Sequence, residues 1–403
     1  MEKIFLWGAG KEGGRIYNLL KKQGYEISAF IDRDSNKHGK MIEEALVMGF
    51  DDFLEKFNSP GAIIIIATFN ETFETEIRED AEKSPFNGKL YNWAEFHRNY
   101  EKPGLINNTL NYEINFESLF NNWLDNLISE VVFWEKENAN PNGSNHGFHV
   151  RHRTVEKEFN CWHLNKEMKE TDIILDVGCG ICSNYGDLFN GKKGHVLGID
   201  PMAYCYNGMT QTYNCSGRPV KFGMFEFLSL QFPHNYADCI IIDNALDHCI
   251  DPFASIVECL NVLKIGGVLS LKHFIDEGYF ENGKGLHKWN LNRDNGDFVI
   301  WNQKSYINVS QELCSCAETE IEIIESGESF FNRRFHPYGV VVCNITKKAE
   351  CNLHQPYERI GIALDGFMRK LSESGMALEY LNKVLDNNKY LRSMLEFSFH
   401  ERK

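Results

Sequence analysis

Residues 173–180 constrain the fold more strongly than any other stretch of the chain. They read Ile-Ile-Leu-Asp-Val-Gly-Cys-Gly, a largely apolar run that passes directly into a glycine-rich turn. A continuous apolar run bounded by glycines is typical of a strand that is covered on both faces of a parallel sheet. Glycines after such a strand let a ligand approach the backbone at the carboxyl edge of the sheet. The sequence therefore predicts an α/β domain with a ligand site at this edge.

Two aspartates mark the same edge. Asp176 precedes the glycines, where its charge disfavours a phosphate and suits a cationic group such as the ammonium of an amino acid. A helix-compatible segment follows at about residues 184–189, and residues 194–201 form a second strand candidate with Asp200 at its tip. Asp200 follows Asp176 by 24 residues, the distance needed to cross one helix and return along the neighbouring strand. An acid there is placed to accept the hydroxyl protons of a ribose.

Further strand candidates follow along the chain. We predict strands at about residues 220–223, 236–243 and 264–271, a helix at 253–263, and late strands at 320–325 and 340–345. No helix separates the last two strands, so we expect them to be antiparallel neighbours.

This order of motifs resembles the class I S-adenosylmethionine-dependent methyltransferases over about residues 166–347. Residues 175–180 are similar to the first motif of that family, 199–201 to its ribose-binding acid and 262–267 to the turn before its fifth strand. Residues 245–248, Ala-Leu-Asp-His, are similar to its fourth-strand motif, in which the quinone-biosynthesis methyltransferases usually carry Leu-Glu-His.

Two positions depart from the family pattern. Cys182 stands where the family has its third glycine, and Met224 stands where an acid often contacts the adenine amine. Backbone amides at Phe225 and Glu226 can serve the adenine instead.

The resemblance implies a fold and a cofactor. The fold is a Rossmann-like domain with a mostly parallel seven-stranded sheet that contains one antiparallel strand, and the cofactor is S-adenosyl-L-methionine. Asp176 would lie near the cofactor ammonium, Asp200 would hold the ribose and Phe225 would cover the adenine. The predicted cofactor site comprises Asp176, Gly178, Cys179, Gly180, Asp200, Pro201, Phe225, Glu226, Asn244 and Ala245.

Methyl transfer to a hydroxyl also needs a base that removes the proton as the new bond forms. The predicted catalytic candidates are Asp247, His248 and His287. His248 could instead hold its loop through backbone hydrogen bonds, and His287 could be an ordinary histidine of a surface loop. Trp289, two residues further on, could stack on a sugar ring or simply anchor the loop.

The polar stretch 146–153 holds three histidines and two arginines. No carboxylate or cysteine lies at ligand spacing, so we predict no metal site. We interpret the stretch as a polar lid in which Arg151 could face an anionic substrate. A solvated surface run fits the same residues.

The N-terminal residues carry a second glycine pattern. A strand candidate at residues 3–7 is followed by Gly8, Gly10 and Gly13 in the order G-x-G-x-x-G, then by a helix, a second strand and Asp32. This is the dinucleotide-binding fingerprint. The segment resembles the small nucleotide-binding domains of sugar-modifying enzymes, such as bacterial sugar acyltransferases, which implies a nucleotide or nucleotide-linked sugar as its ligand. A domain kept for packing or assembly is the alternative.

These features predict four parts. Residues 1–100 form the Rossmann-like nucleotide-binding domain, 101–165 a linker and helical lid, 166–348 the methyltransferase domain and 349–403 C-terminal helices. Apolar residues spaced by three and four between 116 and 134, and again between 360 and 385, favour amphipathic helices. The C-terminal helices could pack on the first domain or form a homo-oligomer interface.

Charge and apolar content limit the partners. A net charge of −15 among 403 residues argues against a nucleic-acid binder. No apolar run is long enough for a membrane span, and several of the 12 cysteines lie inside apolar runs, as expected in a reducing compartment. We therefore expect a cytoplasmic protein with a small-molecule acceptor.

Two other functions fit parts of the sequence. One is an NAD(P)-dependent oxidoreductase that uses the N-terminal glycines, although no recognisable domain follows to present a substrate to a hydride. The other is a non-catalytic nucleotide-binding scaffold. The prediction of a sugar acceptor rests on the N-terminal resemblance, and thus on analogy.

Overall fold

The computed structural model divides the chain into two units, Met1–Leu105 with Ile324–Val340, and Ile106–Ile323 with Val341–Lys403. The residues that the structure describes are 2–68, 71–93, 95–96, 106–115, 118–120, 122–123, 125–127, 130, 156–203, 205–207, 218–281, 283–324 and 339–351. Each unit is described by itself.

The first unit alternates strands and helices. Its elements are β1 (Lys3–Trp7), α1 (Lys11–Lys22), β2 (Ile27–Ile31), β3 (Met41–Ile42), β4 (Ala45–Met48), α2 (Phe50–Phe57), β5 (Ala62–Ile66), α3 (Glu71–Glu82) and β6 (Lys89–Asn92). The sheet order is β3-β4-β2-β1-β5-β6, and every pair except β3 with β4 is parallel. Strand β5 reads Ala-Ile-Ile-Ile-Ile and is buried along its whole length, as expected for a central parallel strand. The strand–glycine turn–helix–strand prediction is confirmed.

Gly13 explains how α1 lies so close to this sheet. A Cβ atom at Gly13 would lie 1.9 Å from the carbonyl oxygen of Gly8, so only glycine fits there. A Cβ atom at the adjacent Gly14 would have the Glu43 carboxylate as its nearest neighbour, at 3.7 Å.

The second unit is built on a seven-stranded sheet in the order β11-β10-β7-β12-β13-β18-β17. Its strands are β7 (Ile173–Val177), β10 (His195–Asp200), β11 (Lys221–Phe222), β12 (Ala237–Asp243), β13 (Leu263–Phe274), β17 (Ala317–Ile324) and β18 (Val340–Lys347). The central pairs are parallel, and the sheet contains an antiparallel strand. Helix α4 (Pro252–Val262) crosses from β12 to β13. The predicted fold class is confirmed.

The segment between β7 and β10 corrects one prediction. We expected a helix at residues 184–189, but the segment bends and forms a short hairpin, β8 (Leu188–Phe189) with β9 (Lys192–Lys193). Its backbone is bonded to residues 157–159: the Leu188 amide donates to the Lys157 carbonyl at 2.9 Å, and the Leu188 carbonyl accepts from Phe159 at 2.7 Å. These groups are therefore unavailable for helical hydrogen bonds.

A small sheet not predicted from sequence follows β13. After a short helix, α5 (Glu277–Phe280), strands β14 (Asn290–Asp294), β15 (Asp297–Trp301) and β16 (Tyr306–Asn308) pair antiparallel, and α6 (Val309–Leu313) leads to β17. The buried Trp301 indole donates to Asp276 at 2.9 Å.

Residues 106–115 were assigned to a linker and lid. They contain no helix or strand, but they are hydrogen bonded to the rest of the second unit. The Tyr112 hydroxyl donates to Asp251 at 2.7 Å, and the Glu113 amide donates to Ser305 at 2.9 Å. This part of the predicted linker is therefore anchored.

Other predictions fall partly or wholly outside the described residues. The described positions between 118 and 130 are helical, and Phe120, Trp123 and Leu127 are buried, which agrees with the amphipathic pattern. Arg151 and the C-terminal residues 352–403 lie outside the described residues. Cys316 and Cys351 form a disulfide, a pairing that the sequence did not suggest. Within the described residues, no helix combines the length and hydropathy of a membrane span.

Gly13 and Gly14 offer a matched test of the first unit. We expect Gly13→Ala to destabilise the protein by about 1–3 kcal/mol, since the new methyl group must displace α1 from the sheet. Gly14→Ala should stabilise by up to about 1 kcal/mol, because alanine favours a helix and has room here. Urea unfolding of the two variants measures the difference, and equal midpoints would contradict this account of the packing.

Candidate active site

The glycine turn after β7 lies against Phe225, which follows β11, and Ala245, which follows β12. Gly178 and Gly180 have φ values of +73° and +65°, which side chains rarely adopt. A Cβ atom at Gly178 would lie 2.6 Å from both the Ala245 Cβ and the Phe225 ring. The structure thus brings predicted cofactor residues from three stretches together at one edge of the sheet.

Asp200, at the tip of β10, closes this turn. Its carboxylate accepts hydrogen bonds from the Gly180 amide at 2.9 Å and from the Met202 amide at 2.8 Å. Burial raises the pKa of Asp200 to about 7 against the opposing effect of these amides, and the nearby Asp176 adds to the rise. Asp200 therefore changes charge near neutral pH.

Asp176 is almost fully buried in β7, directly before the glycines. It accepts a hydrogen bond from the Asn184 amide at 3.3 Å. Asp176 and Asp200 interact electrostatically and both end at the same edge, so they make this edge acidic, as a cationic ligand group requires. Cys179 and Cys182 are buried in the same loop as thiols.

The predicted adenine residues have different surroundings. Phe225 is buried with its ring against Gly178. The Glu226 side chain instead accepts from the Ile250 and Asp251 amides at 2.7 and 3.2 Å, which fixes the start of α4. Burial raises the pKa of Glu226 to about 7. Only its backbone amide could then serve a cofactor.

Asn244 turns the chain at the end of β12. It has a φ of +53°, donates its amide to the Lys272 carbonyl at 2.8 Å and accepts from the Phe274 amide at 3.0 Å through its side chain. These bonds hold the ends of β12 and β13 together. They also aim the next residues, from Ala245 to the 3₁₀ turn Leu246–His248, across the edge of the sheet.

The three predicted catalytic residues meet in one cluster. Asp247 is fully buried, and its Oδ2 lies 2.6 Å from Nδ1 of His287. That Nδ1 atom also lies 3.2 Å from Nε2 of His248. The opposite oxygen of Asp247 lies 2.8 Å from Nε2 of His273, whose Nδ1 is 2.8 Å from the Phe274 carbonyl. One carboxylate therefore contacts two imidazoles directly, and the ring nitrogen of His248 lies 3.9 Å from it.

The charges of this cluster are strongly coupled. Burial favours the neutral acid, but the adjacent histidines His248, His273 and His287 hold the pKa of Asp247 well below its usual range. Burial lowers the pKa of His287, and the Asp247 carboxylate overcomes this effect and raises it to about 9. The cluster is thus built to hold positive charge around one buried anion.

His273 and Glu277 were missed by the sequence reasoning. The predicted fifth strand ended at 271, while β13 continues to Phe274. Glu277 lies one turn further on, 3.9 Å from Nε2 of His273. Polar residues at the carboxyl end of a parallel strand were the available signal.

One predicted substrate residue is corrected. Trp289 is fully buried and its ring packs 5.9 Å from the Tyr112 ring, so it offers no face on which a sugar could stack. It anchors the loop that carries His287. Arg151, the other predicted substrate residue, lies outside the described residues.

The predicted nucleotide site of the first unit is compact. Gly10 is the N-cap residue of α1. A Cβ atom there would meet nothing within 4 Å, which leaves the turn open on that side. Asp32 accepts from the Ala9 amide at 2.7 Å and from the Lys37 ammonium at 3.0 Å. Its carboxylate thus binds the glycine turn, and its contact with the ribose of a bound nucleotide stays a prediction.

The order of the seven strands and the glycine turn with its acidic edge define an α/β, Rossmann-like methyltransferase fold. Residues 175–271 match a family model described as a methyltransferase domain, and residues 1–89 match one described as C2185-like, N-terminal. The chain therefore contains a class I S-adenosylmethionine-dependent methyltransferase domain.

Known proteins similar to the chain carry the same kind of domain. An uncharacterized methyltransferase of Schizosaccharomyces pombe is 30% identical over 127 residues, which cover 27% of this chain and 42% of that protein. A solved S-adenosylmethionine-dependent methyltransferase of Methanosarcina mazei is 21% identical over 45% of this chain and 94% of its own, with a TM-score of 0.28. A Haloferax volcanii methyltransferase solved in complex with the activator Trm112 is 14% identical over 56% of this chain and 99% of its own, with a TM-score of 0.34.

The pKa of Asp200 predicts how cofactor binding depends on pH. If Asp200 holds the ribose as predicted, the ribose hydroxyls would donate to its ionised carboxylate. The ionised fraction rises from about a tenth at pH 6 to about nine tenths at pH 8 for a pKa of about 7. We therefore expect S-adenosylhomocysteine to bind roughly five- to tenfold more tightly at pH 8 than at pH 6, as measured by calorimetry.

Two variants isolate this effect. Asp200→Asn should weaken binding and remove the pH dependence. Glu226→Gln should keep it, since Glu226 has a similar pKa but its side chain binds the start of α4. A pH dependence that survives Asp200→Asn would assign it to another group.

Proposed function

We propose that the protein transfers the methyl group of S-adenosylmethionine to a hydroxyl of a small molecule. The observation that carries this proposal is that His287 contacts both the buried Asp247 and His248, one turn beyond the Asn244–Ala245 end of β12. In this arrangement, imidazoles stand next to the edge where the cofactor is predicted to bind, and that of His287 can take a proton once the pH exceeds its pKa of about 9.

The donor half of the reaction needs orientation more than covalent help. The sulfonium is already an activated donor, and holding the acceptor oxygen in line with the methyl carbon contributes several kcal/mol. The residues proposed to hold the cofactor are the Gly178–Gly180 backbone, Asp176 for its ammonium and Asp200 for its ribose. Asn244 and Ala245 would offer backbone carbonyls beside the sulfonium.

The acceptor half needs proton removal. As the new C–O bond forms, the hydroxyl proton must leave, and a positioned base contributes roughly 10²–10⁴-fold. Asp247 fixes the ring of His287 through Nδ1, so Nε2 lies on the far side of the ring from the carboxylate. Both histidines are about a quarter exposed, whereas Asp247 is fully buried. Substrate could therefore reach the imidazoles but not the carboxylate.

We further propose a sugar, free or nucleotide-linked, as the acceptor. The support is the dinucleotide-type turn of the first unit, with its open Gly10 and close-packed Gly13. This part of the proposal is an analogy between folds.

Ligand binding separates the proposal from its alternatives. S-adenosylhomocysteine should raise the melting temperature of the full chain, because a ligand at 100 times its dissociation constant adds about 2.7 kcal/mol of stability. A response to NADH alone would favour an oxidoreductase that uses the N-terminal unit. No response to either ligand would favour a non-catalytic scaffold.

Loss of the imidazoles tests the proton-removal step. We expect His287→Ala or His248→Ala to reduce methyl transfer by about 10² or more, with the affinity for S-adenosylhomocysteine nearly unchanged. Transfer can be followed as label passing from methyl-tritiated S-adenosylmethionine into the small-molecule fraction of a cell extract.

His195→Ala is the matched control. His195 is exposed at the start of β10, at the opposite end of the strand from Asp200, and its removal should leave transfer unchanged. Full activity in both cluster variants would show that the acceptor proton leaves by another route.

A further inference from the structure

We propose that Asp247, His248 and His287 bind a divalent transition-metal ion, such as Zn²⁺ or Fe²⁺, and that this ion holds the acceptor oxygen. Binding of the ion stands on the geometry below. Its part in the reaction rests on the proposed methyl transfer.

The three ligand atoms have the spacing that such an ion needs. Nε2 of His248 lies 3.2 Å from Nδ1 of His287, which lies 2.6 Å from Oδ2 of Asp247. His248 Nε2 lies 3.9 Å from the other carboxylate oxygen, Oδ1, and one ligand atom from each of the three residues lies within 4.8 Å of the other two. A tetrahedral zinc ion with ligand bonds of about 2.0–2.1 Å has ligand atoms about 3.3 Å apart. Small side-chain adjustments would place all three at coordination distance.

The donor set also fits this class of ion. Two imidazoles and one carboxylate form a recurrent set for zinc and for non-haem iron, with positions left for water or substrate. The two imidazole nitrogens face each other across 3.2 Å, so a single proton must lie between them if they hydrogen bond. A metal ion would engage the lone pairs of both nitrogens and the carboxylate at once.

The surroundings of the carboxylate match the second shell of a metal site. Metal-ligating carboxylates are usually oriented by further hydrogen bonds. Here the Asp247 oxygen that faces away from His287 lies 2.8 Å from Nε2 of His273. The ring of His273 is itself fixed by the Phe274 carbonyl. His273 is therefore a positioning residue that leaves Oδ2 for the ion.

A second group, Asp247 with His273 and Glu277, also lies within ligand reach of one another. We do not assign the ion to this group. All three residues are buried, and both nitrogens of His273 already have partners. In the proposed group, the side chains of His248 and His287 are 23% and 24% exposed, so exchangeable positions of the ion would face outward.

A bound ion would change how the acceptor is activated. Coordination lowers the pKa of a bound hydroxyl, which then loses its proton to solvent. The oxygen attacks the methyl carbon, a C–O bond forms and the S–CH₃ bond breaks. The bonding pair stays on sulfur as the thioether of S-adenosylhomocysteine. No oxidant or reductant is needed.

The test is a titration of the chelator-treated full chain with Co²⁺ and with Zn²⁺. We expect one ion per chain by calorimetry, and a visible absorption band with Co²⁺ that Zn²⁺ displaces. His248→Ala, His287→Ala and Asp247→Asn should each weaken binding by at least about 100-fold, while His195→Ala binds as the parent does. Comparison of the variants by circular dichroism ensures that only folded protein is scored.

His273→Gln separates positioning from ligation. It should weaken binding by about 10- to 100-fold and shift the Co²⁺ band at saturation, since the carboxylate would be less well oriented. A purely structural role would leave the band unchanged.

The outcomes distinguish this inference from the proposed function. Methyl transfer at full rate by metal-free protein in chelator, with no Co²⁺ band, overturns the metal site and leaves the methyltransferase intact. Metal binding that the cluster variants do not weaken also overturns it. Metal binding lost in these variants supports the site even if no methyl transfer is found.

Discussion

A cluster of three imidazoles around one buried carboxylate organises the side of this domain that we propose binds the acceptor. Asp247 has no exposed surface, and a buried carboxylate without partners would cost several kcal/mol. Its partners come from three places: His248 beside it in the 3₁₀ turn after β12, His273 in β13, and His287 in the loop beyond α5. The charge on Asp247 thus draws these segments together. The buried Trp289 then fixes the last of them in the core.

The edge proposed to bind the cofactor also has buried carboxylates, but there the pKa of Asp200 is raised instead of lowered. Asp176 and Asp200 are buried at neighbouring strand tips, and both accept hydrogen bonds from backbone amides. Burial beside another acid raises the pKa of Asp200 to about 7, whereas the imidazoles lower that of Asp247. Two acidic positions on one sheet edge therefore differ in charge state. A cationic ligand group would stabilise the ionised form of Asp200, whereas the charge of Asp247 is already balanced by the imidazoles.

The sequence predicted the central strands of the main sheet, such as β7 and β12, because each contains a short apolar run bounded by glycine or polar residues. It failed at residues 184–189, where hydrogen bonds to residues 157–159 replaced helical ones. Local spacing of apolar residues does not predict such long-range pairing. The same limit applies to the β14–β16 sheet, whose strands are only three to five residues long.

For the site, the motifs identified Asp247, His248 and His287 as candidates, but not their contact. Their meeting depends on the loop that returns to the sheet edge after α5, which no spacing rule encodes. The spacing rule was applied to residues 146–153, and no metal was predicted there. That rule looks for ligands on one helix or loop, whereas the metal site proposed above takes its ligands from two stretches about 40 residues apart.

The matched family region explains which part of the site is general and which is particular to this chain. That region ends at residue 271 and includes the glycine turn, Asp200 and the 3₁₀ turn. His273, Glu277 and His287 all follow it, as does the β14–β16 sheet. The residues proposed to hold the cofactor thus lie within the shared domain, whereas most partners of Asp247 lie beyond it. We therefore expect residues 272–308, which follow the matched region and supply two imidazole partners of Asp247, to contribute to specificity for the acceptor.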